Sequence, residues 1–350
     1  MSRRPEFSIV VSIAGLLLSV QALSGAPKGE YHLIHTYKYA AAPGGREYFD
    51  YITEDPESRR VYLSHGTEVL VVNADTGALE GKVPGFKRCH GVALDKSLGK
   101  GFVTDGDEGK IVSFDLKTLK TTGSANAADD ADGILYDPVS KHVFSFNGDA
   151  HSATAVDPSN DSVVGTVDLG AKPEFAVADG KGNLYNNLVD ANQVAVIDSR
   201  TMKVKERWPI APAGHAAPIA IDREHRRLFV AGREPQVLII MNADNGKVIQ
   251  SFPISGGADA ARFDSRTGQI FVSTGEGWVH IFHEDLPDHY SEAGKIKTEY
   301  GAKTMGFDSK TNHVFVDTAE FSPAPSPAAD RPHPRRSPIA GTFHLLVYGQ

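Results

Sequence analysis

Residues 219–248 read IAIDREHRRLFVAGREPQVLIIMNADNGKV, and this stretch decides the fold. Ile219 and Ile221 alternate with a small residue and stop at Asp222, the pattern of a half-buried strand. Residues 222–227 form a polar turn. Leu228, Phe229, Val230 and Ala231 make a second strand, and residues 237–241 (VLIIM) a third. Asn242 to Gly246 is a turn whose end tolerates a left-handed backbone, and a fourth strand follows over residues 247–254. Four short antiparallel strands cannot bury both faces of their own sheet, so such a unit needs neighbours of its own kind.

The chain supplies them. An aspartate at the end of a first strand recurs as Asp55, Asp95, Asp137, Asp179, Asp222, Asp264 and Asp308, at steps of 40, 42, 42, 43, 42 and 44 residues. Seven residues after six of them stands an aromatic (Tyr62, Phe102, Phe144, Phe229, Phe271, Phe315), and Tyr185 follows Asp179 by six. A period of about 40–45 residues with four strands per unit is the mark of a propeller. Each aspartate is expected to bond the backbone of its own turn rather than to do chemistry. The seventh unit ends at Tyr348 without an outer strand, while residues 31–39 (YHLIHTYKY) form a strand alone before the first unit. Pairing the two closes the ring and removes two sheet edges. The expected fold is all-β: a seven-bladed β-propeller with four antiparallel strands per blade, the N-terminal strand completing blade seven.

Units such as residues 192–203 (NQVAVIDSRTMK) and 227–231 (RLFVA), with the degenerate repeats GFVTD at 101–105 and IFVST at 270–274, resemble the YncE-type or YVTN-repeat propellers. The resemblance spans nearly all of the chain after its first residues. It implies an exported bacterial protein of binding or unassigned role. Relatives of that fold bind nucleic acid, metals or haem, but no residue here inherits such a role.

The chain has 350 residues, 41% hydrophobic and 23% charged, with a formal charge of −8. That charge argues against nucleic acid as a partner by bulk electrostatics. A single cysteine, Cys89, excludes an internal disulfide. It neighbours His90 in a strand and so faces the opposite side, which makes it buried and inert. Arg3 and Arg4, the apolar run from Phe7 to Leu23, and Ser24-Gly25-Ala26 read as a signal peptide over residues 1–26. The expected mature chain is one propeller domain over 27–350, periplasmic or secreted, monomeric and without a membrane span.

In a propeller, first strands line the central channel, and sites form at its mouth. Five residues before the aspartates stand Asp50, His90, Asp132, Glu174, Ala217, Asp259 and Lys303, with His215 close enough to replace Ala217. Four carboxylates at one mouth repel and call for a cation, so Asp50, His90, Asp132, Glu174, His215, Asp259 and Lys303 are the candidate ligand-binding set. His90, Asp132, Glu174, His215 and Asp259 are the candidate ligands for one divalent metal ion; a water-filled polar channel is the alternative. Loop positions expected on the same face add His65, Asp105, Asn147, His151, Asp190, Arg233, Glu276 and Asp317. No Cys-x-x-Cys-His motif is present, so covalent haem is excluded.

A Pro-rich insertion at 321–338 (FSPAPSPAADRPHPRRSP) interrupts blade seven on that face, as a surface loop or a basic lid. The acidic segment between His283 and His289 is expected as a loop on the opposite face. Two functional expectations follow. One is a binding or scaffold protein that holds a small molecule, metal ion or protein partner at the mouth. The other is a metal-dependent hydrolase or lyase with His90 or His215 as base.

Overall fold

The computed structural model describes Met1 and residues 29–44, 47–326 and 336–350. The expected signal peptide lies outside them except for Met1, as does the tip of the Pro-rich insertion at 327–335. Tyr31–Gln350 forms one compact unit. Among the described residues no helix is long and apolar enough to cross a membrane.

Seven four-stranded antiparallel sheets make up the unit. Six are consecutive: residues 49–84, 89–126, 131–168, 173–209, 219–253 and 258–297, numbered here as blades 1 to 6. The seventh joins Met305–Asp308, His313–Thr318 and His344–Gly349 to the strand His32–Lys38, which pairs antiparallel with His344–Gly349. This is a seven-bladed β-propeller closed by its N-terminal strand.

The deciding stretch folds as Ile219–Asp222, Arg227–Arg233, Gln236–Asn242 and Val248–Pro253. Its third strand shows why middle strands read as unbroken apolar runs. Leu238, Ile239, Ile240 and Met241 are all fully buried, because a neighbouring blade covers each face of the sheet. Ile239 and Met241 pack with Val194, Val196 and Trp208 of blade 4, whereas Leu238 and Ile240 pack with Ile270, Val272 and Phe282 of blade 6. Each such side chain contributes about 1.5–3 kcal/mol by leaving water. The aromatic of every second strand, from Tyr62 to Phe315, is likewise buried.

Every anchor aspartate accepts the backbone N–H two residues on, as Asp55 does from Glu57 at 3.2 Å and Asp222 from Glu224 at 2.9 Å. These bonds turn the chain from inner to second strand. One expectation is corrected: residues 283–289 are not an open loop. Trp278–Leu286 and His289–Lys297 extend the ladder to a tight turn, with Leu286 paired to His289.

Candidate functional site at the channel mouth

The inner strands carry a shared irregularity where the candidate ring lies. In blades 1, 2, 3, 4 and 6 the register with the second strand slips at that point, as between Phe49↔His65 and Ile52↔Leu63. Such a β-bulge sets two residues against one and re-aims side chains. In blades 1 and 4 the residue after the ring residue thereby also enters the channel. Tyr51 and Phe175 meet there with ring centroids 4.4 Å apart. Gly133 of blade 3 makes room: a Cβ on it would sit 3.3 Å from the Tyr51 hydroxyl.

Around this aromatic pair the ring residues form a charged cup. His90 Nδ1 lies 2.7 Å from Asp50 Oδ2, 3.1 Å from Asp132 Oδ1 and 2.9 Å from the Tyr48 hydroxyl, which itself donates to Asp50 at 2.8 Å. Lys303 Nζ bonds Asp259 at 2.5 Å and stands 4.0 Å from Asp50. Arg233 bonds the other oxygen of Asp259 and comes within 3.9 Å of Glu174. All seven blades therefore contribute one charged side chain. In blade 5 the contributor is Arg233, at the end of the second strand.

That corrects the expectation for His215. It is exposed, its backbone N–H bonds Asn192 Oδ1 at 2.7 Å, and its left-handed backbone (φ 47°) belongs to the loop before the inner strand. Ala217 is buried beside the ring and offers no polar side chain.

Electrostatics divides the cup into two halves. Burial disfavours charge on Asp50, yet the His90 hydrogen bond and the Lys303 ammonium hold its carboxyl down at about 2. Burial likewise opposes charge on His90, but Asp132 and Asp50 raise it to about 10, so it is an imidazolium. Opposite them, burial raises Asp132, while burial and the charge of Asp132 raise Glu174 to about 8 against the pull of Arg233. Burial, followed by the surrounding carboxylates, pushes the Tyr51 phenol well up, so it stays neutral. Four carboxylates face three cations, and the proton that Glu174 keeps up to about 8 makes up the balance, so a fourth cation bound here would take the place of that proton.

Hydrogen bonding marks the same side. The Tyr51 hydroxyl is buried without a hydrogen-bond partner, and Asp132 Oδ1 has only the His90 imidazolium, 3.1 Å away. Donor atoms of Asp50, His90 and Asp132 also lie within 4.8 Å of one another, a spacing that suits a metal ion. In the protein as described, the Nδ1 proton of His90 already occupies the space between them.

Most of the other expected face residues serve the scaffold. Asp105 accepts the N–H groups of Lys87 and Arg88 at 2.8 and 3.0 Å, Asp190 that of Lys172 at 2.9 Å, and Glu276 that of Gly256 at 3.0 Å. Each fixes the segment leading into the inner strand of its own blade. His65 is fully buried, paired with Glu47 and stacked on Phe343 at 4.1 Å. Asn147 bonds Ser152 and Thr154. His151 is exposed. The Pro-rich insertion closes at its base through the Phe321↔Pro338 bridge, with the Arg336 guanidinium 4.8 Å above the Tyr300 ring.

No family model and no curated protein matches this sequence. Solved structures match in shape. A chain of hydrazine synthase from Kuenenia stuttgartiensis superposes with a TM-score of 0.68 at 14% identity, covering 76% of this chain and 91% of that one. The WD40 repeats of RRP9 superpose with a TM-score of 0.72 at 9% identity, covering 89% and 99%. What is shared is the propeller fold.

The residues that sequence reasoning missed are Tyr48, Tyr51 and Phe175, together with the role of Arg233 in the ring. A signal existed for two of them. Position four before each anchor aspartate reads Tyr51, Gly91, Gly133, Phe175, Pro218, Ala260 and Thr304, two aromatics among small residues.

Proposed function

We propose that the protein is a non-catalytic binding protein whose channel cup holds a small cationic ligand. One observation supports this above the rest. Four carboxylates and three cations from all seven blades converge, with a proton on Glu174 in place of a fourth cation, and the Tyr51 hydroxyl among them is buried without a partner. A rigid closed ring holds such groups in place at little cost on binding. Solvent reaches only 15% of the Asp132 side chain and 17% of Glu174, so a small group fits better than a protein surface. The repeat resemblance and the leader-like residues 1–26 add an exported, bacterial setting to the proposal.

Calorimetric titration of the purified chain with a panel of metal ions and organic cations tests it. One cation should bind per chain, and the Asp132→Asn, Glu174→Gln double variant should lose it. Binding that survives the double variant, or no cation binding at all, sinks the proposal.

A second reading, a metal-dependent hydrolase or lyase, has the Asp50, His90 and Asp132 donor set in its favour; mixed nitrogen and oxygen donors suit a transition metal. It needs a free base. His90 Nδ1 is engaged by Asp50, and its Nε2, buried without a hydrogen-bond partner, carries a proton in the imidazolium, while His215 stands outside the ring. Elemental analysis of untagged protein separates the readings: about one tightly held metal per chain would favour the enzyme.

A further inference from the structure

Building on the cation-binding reading, we infer that the group the cup receives is a primary ammonium on a slender aliphatic chain, seated among Asp132, Glu174 and Tyr51. Three acceptors define the seat. The Tyr51 hydroxyl has no hydrogen-bond partner, and the Asp132 carboxyl meets His90 through Oδ1 alone, at 3.1 Å, which leaves its other oxygen free. Glu174 stands 3.9 Å from Arg233, beyond hydrogen-bond reach, and its carboxyl has no closer partner among the described residues. These acceptors come from the inner strands of blades 1, 3 and 4 and converge on one region from three directions. An ammonium presents three N–H donors in a tripod, which matches that arrangement.

Other cations fit less well. Guanidinium is planar and seeks paired acceptors in its own plane, whereas these three belong to separate strands. A divalent metal ion wants about six oxygen ligands, but this side offers two carboxylates and a neutral phenol, a weak metal ligand. Quaternary ammonium has no N–H and would leave all three acceptors unpaired. The Tyr51 and Phe175 rings below add an apolar and quadrupolar surface that favours an organic cation over a hydrated ion. Gly91 and Gly133 lie at the same level, where a Cβ on either would meet a neighbouring blade within 3.3 Å; the inner strands pack closely there, and such crowding disfavours a branched group more than a slender chain end. Such a chain end occurs on free aliphatic amines and on lysine side chains, and the shared chemistry is what the seat recognises.

The test titrates the full chain, freed of residues 1–26, with 1,5-diaminopentane, butylamine, a Gly-Lys-Gly peptide, tetramethylammonium, guanidinium and Mn²⁺. The amines should bind one per chain. Affinity should fall at least tenfold in Glu174→Gln and in Asp132→Asn, and several-fold in Tyr51→Phe, which removes only the hydroxyl. Diaminopentane binding while the peptide does not identifies a free amine as the source; equal binding identifies a lysine side chain. Tetramethylammonium or guanidinium binding as tightly as butylamine would overturn the ammonium assignment. Mn²⁺ binding at the cup without any amine would overturn it too and leave the cation-binding reading standing. No binding by any probe, with unaltered circular dichroism, would overturn both.

Discussion

Tyr51 of blade 1 and Phe175 of blade 4 meet within the channel, ring centroids 4.4 Å apart at an interplanar angle of 30°. The contact links two blades that are not neighbours in the ring. It depends on bulges in both inner strands, since regular alternation would point these rings at neighbouring blades. Aromatic pairs contribute about 0.5–1.5 kcal/mol beyond their area burial. A double-mutant cycle with Tyr51→Leu and Phe175→Leu, followed by urea unfolding, should return a coupling of about 1 kcal/mol. Strict additivity would mean that the rings touch without supporting each other.

Asp317 makes the case for a pH effect. Two residues after the aromatic of the second strand, Ser64, Thr104, Asn187 and Ser273 each donate to the carbonyl of the next blade's ring-position residue, as Thr104 does to Asp132 at 2.5 Å and Asn187 to Ala217 at 2.8 Å. In blade 7 that position holds Asp317, fully buried, with Oδ1 taking a 2.8 Å bond from Thr304 and Oδ2 unpartnered. Burial above all, aided by Asp50 and opposed by Thr304 and Lys303, raises its carboxyl to about 8. An acid whose folded pKa is raised keeps its proton in the native state while the unfolded chain releases it. Stability is therefore lost as pH rises from about 4 to about 8, at up to roughly 1.4 kcal/mol per pH unit. Asp317→Asn removes this slope, so its stability relative to wild type should grow steadily between pH 5 and 8 in urea titrations. A constant difference would show that Asp317 is not held protonated.

Periodicity made the architecture legible, because burial on both faces by identical neighbours imposes the same apolar run at the same place in each unit. Asp50, His90, Asp132, Glu174, Asp259 and Lys303 were legible for the same reason: they share one register relative to an anchor that the Asx turn holds in place. Tyr51 and Phe175 were not, because alternation assigns adjacent residues to opposite sides and a bulge cancels that rule locally. Arg233 was hidden differently. It lies at the same end of the second strand as residues that cap loops elsewhere, and only the packing of blades 5 and 6 shows that its long side chain reaches Asp259.

Cys89 provides a simple check on the environment beside the cup. Its sulfur is fully buried, 3.1 Å from the Glu68 carbonyl oxygen and 3.3 Å from that of Gly66. Burial pushes the thiol up to about 12. As the thiolate is the reactive form, a thiol-specific disulfide reagent at pH 8 should leave the native protein unmodified and label one thiol per chain in urea. Rapid labelling of the native state would place Cys89 at a solvent-exposed position.

Ring closure gives the last prediction. The strand His32–Lys38 covers the edge of His344–Gly349, which is buried throughout. Tyr37 lies directly over Gly77 of blade 1, where a Cβ would come within 2.2 Å of its ring, and the Tyr39 hydroxyl bonds the Gly77 carbonyl at 3.0 Å. The strand therefore joins blade 7 by its ladder and blade 1 by its side chains. A chain begun at Tyr39 exposes an apolar strand edge, a template for pairing with other copies. Its melting temperature should fall by several degrees or more, and it should aggregate with increasing concentration. A synthetic peptide of residues 29–38, added in trans, should restore stability by strand addition. An unchanged melting temperature would mean that blade 7 is complete without it.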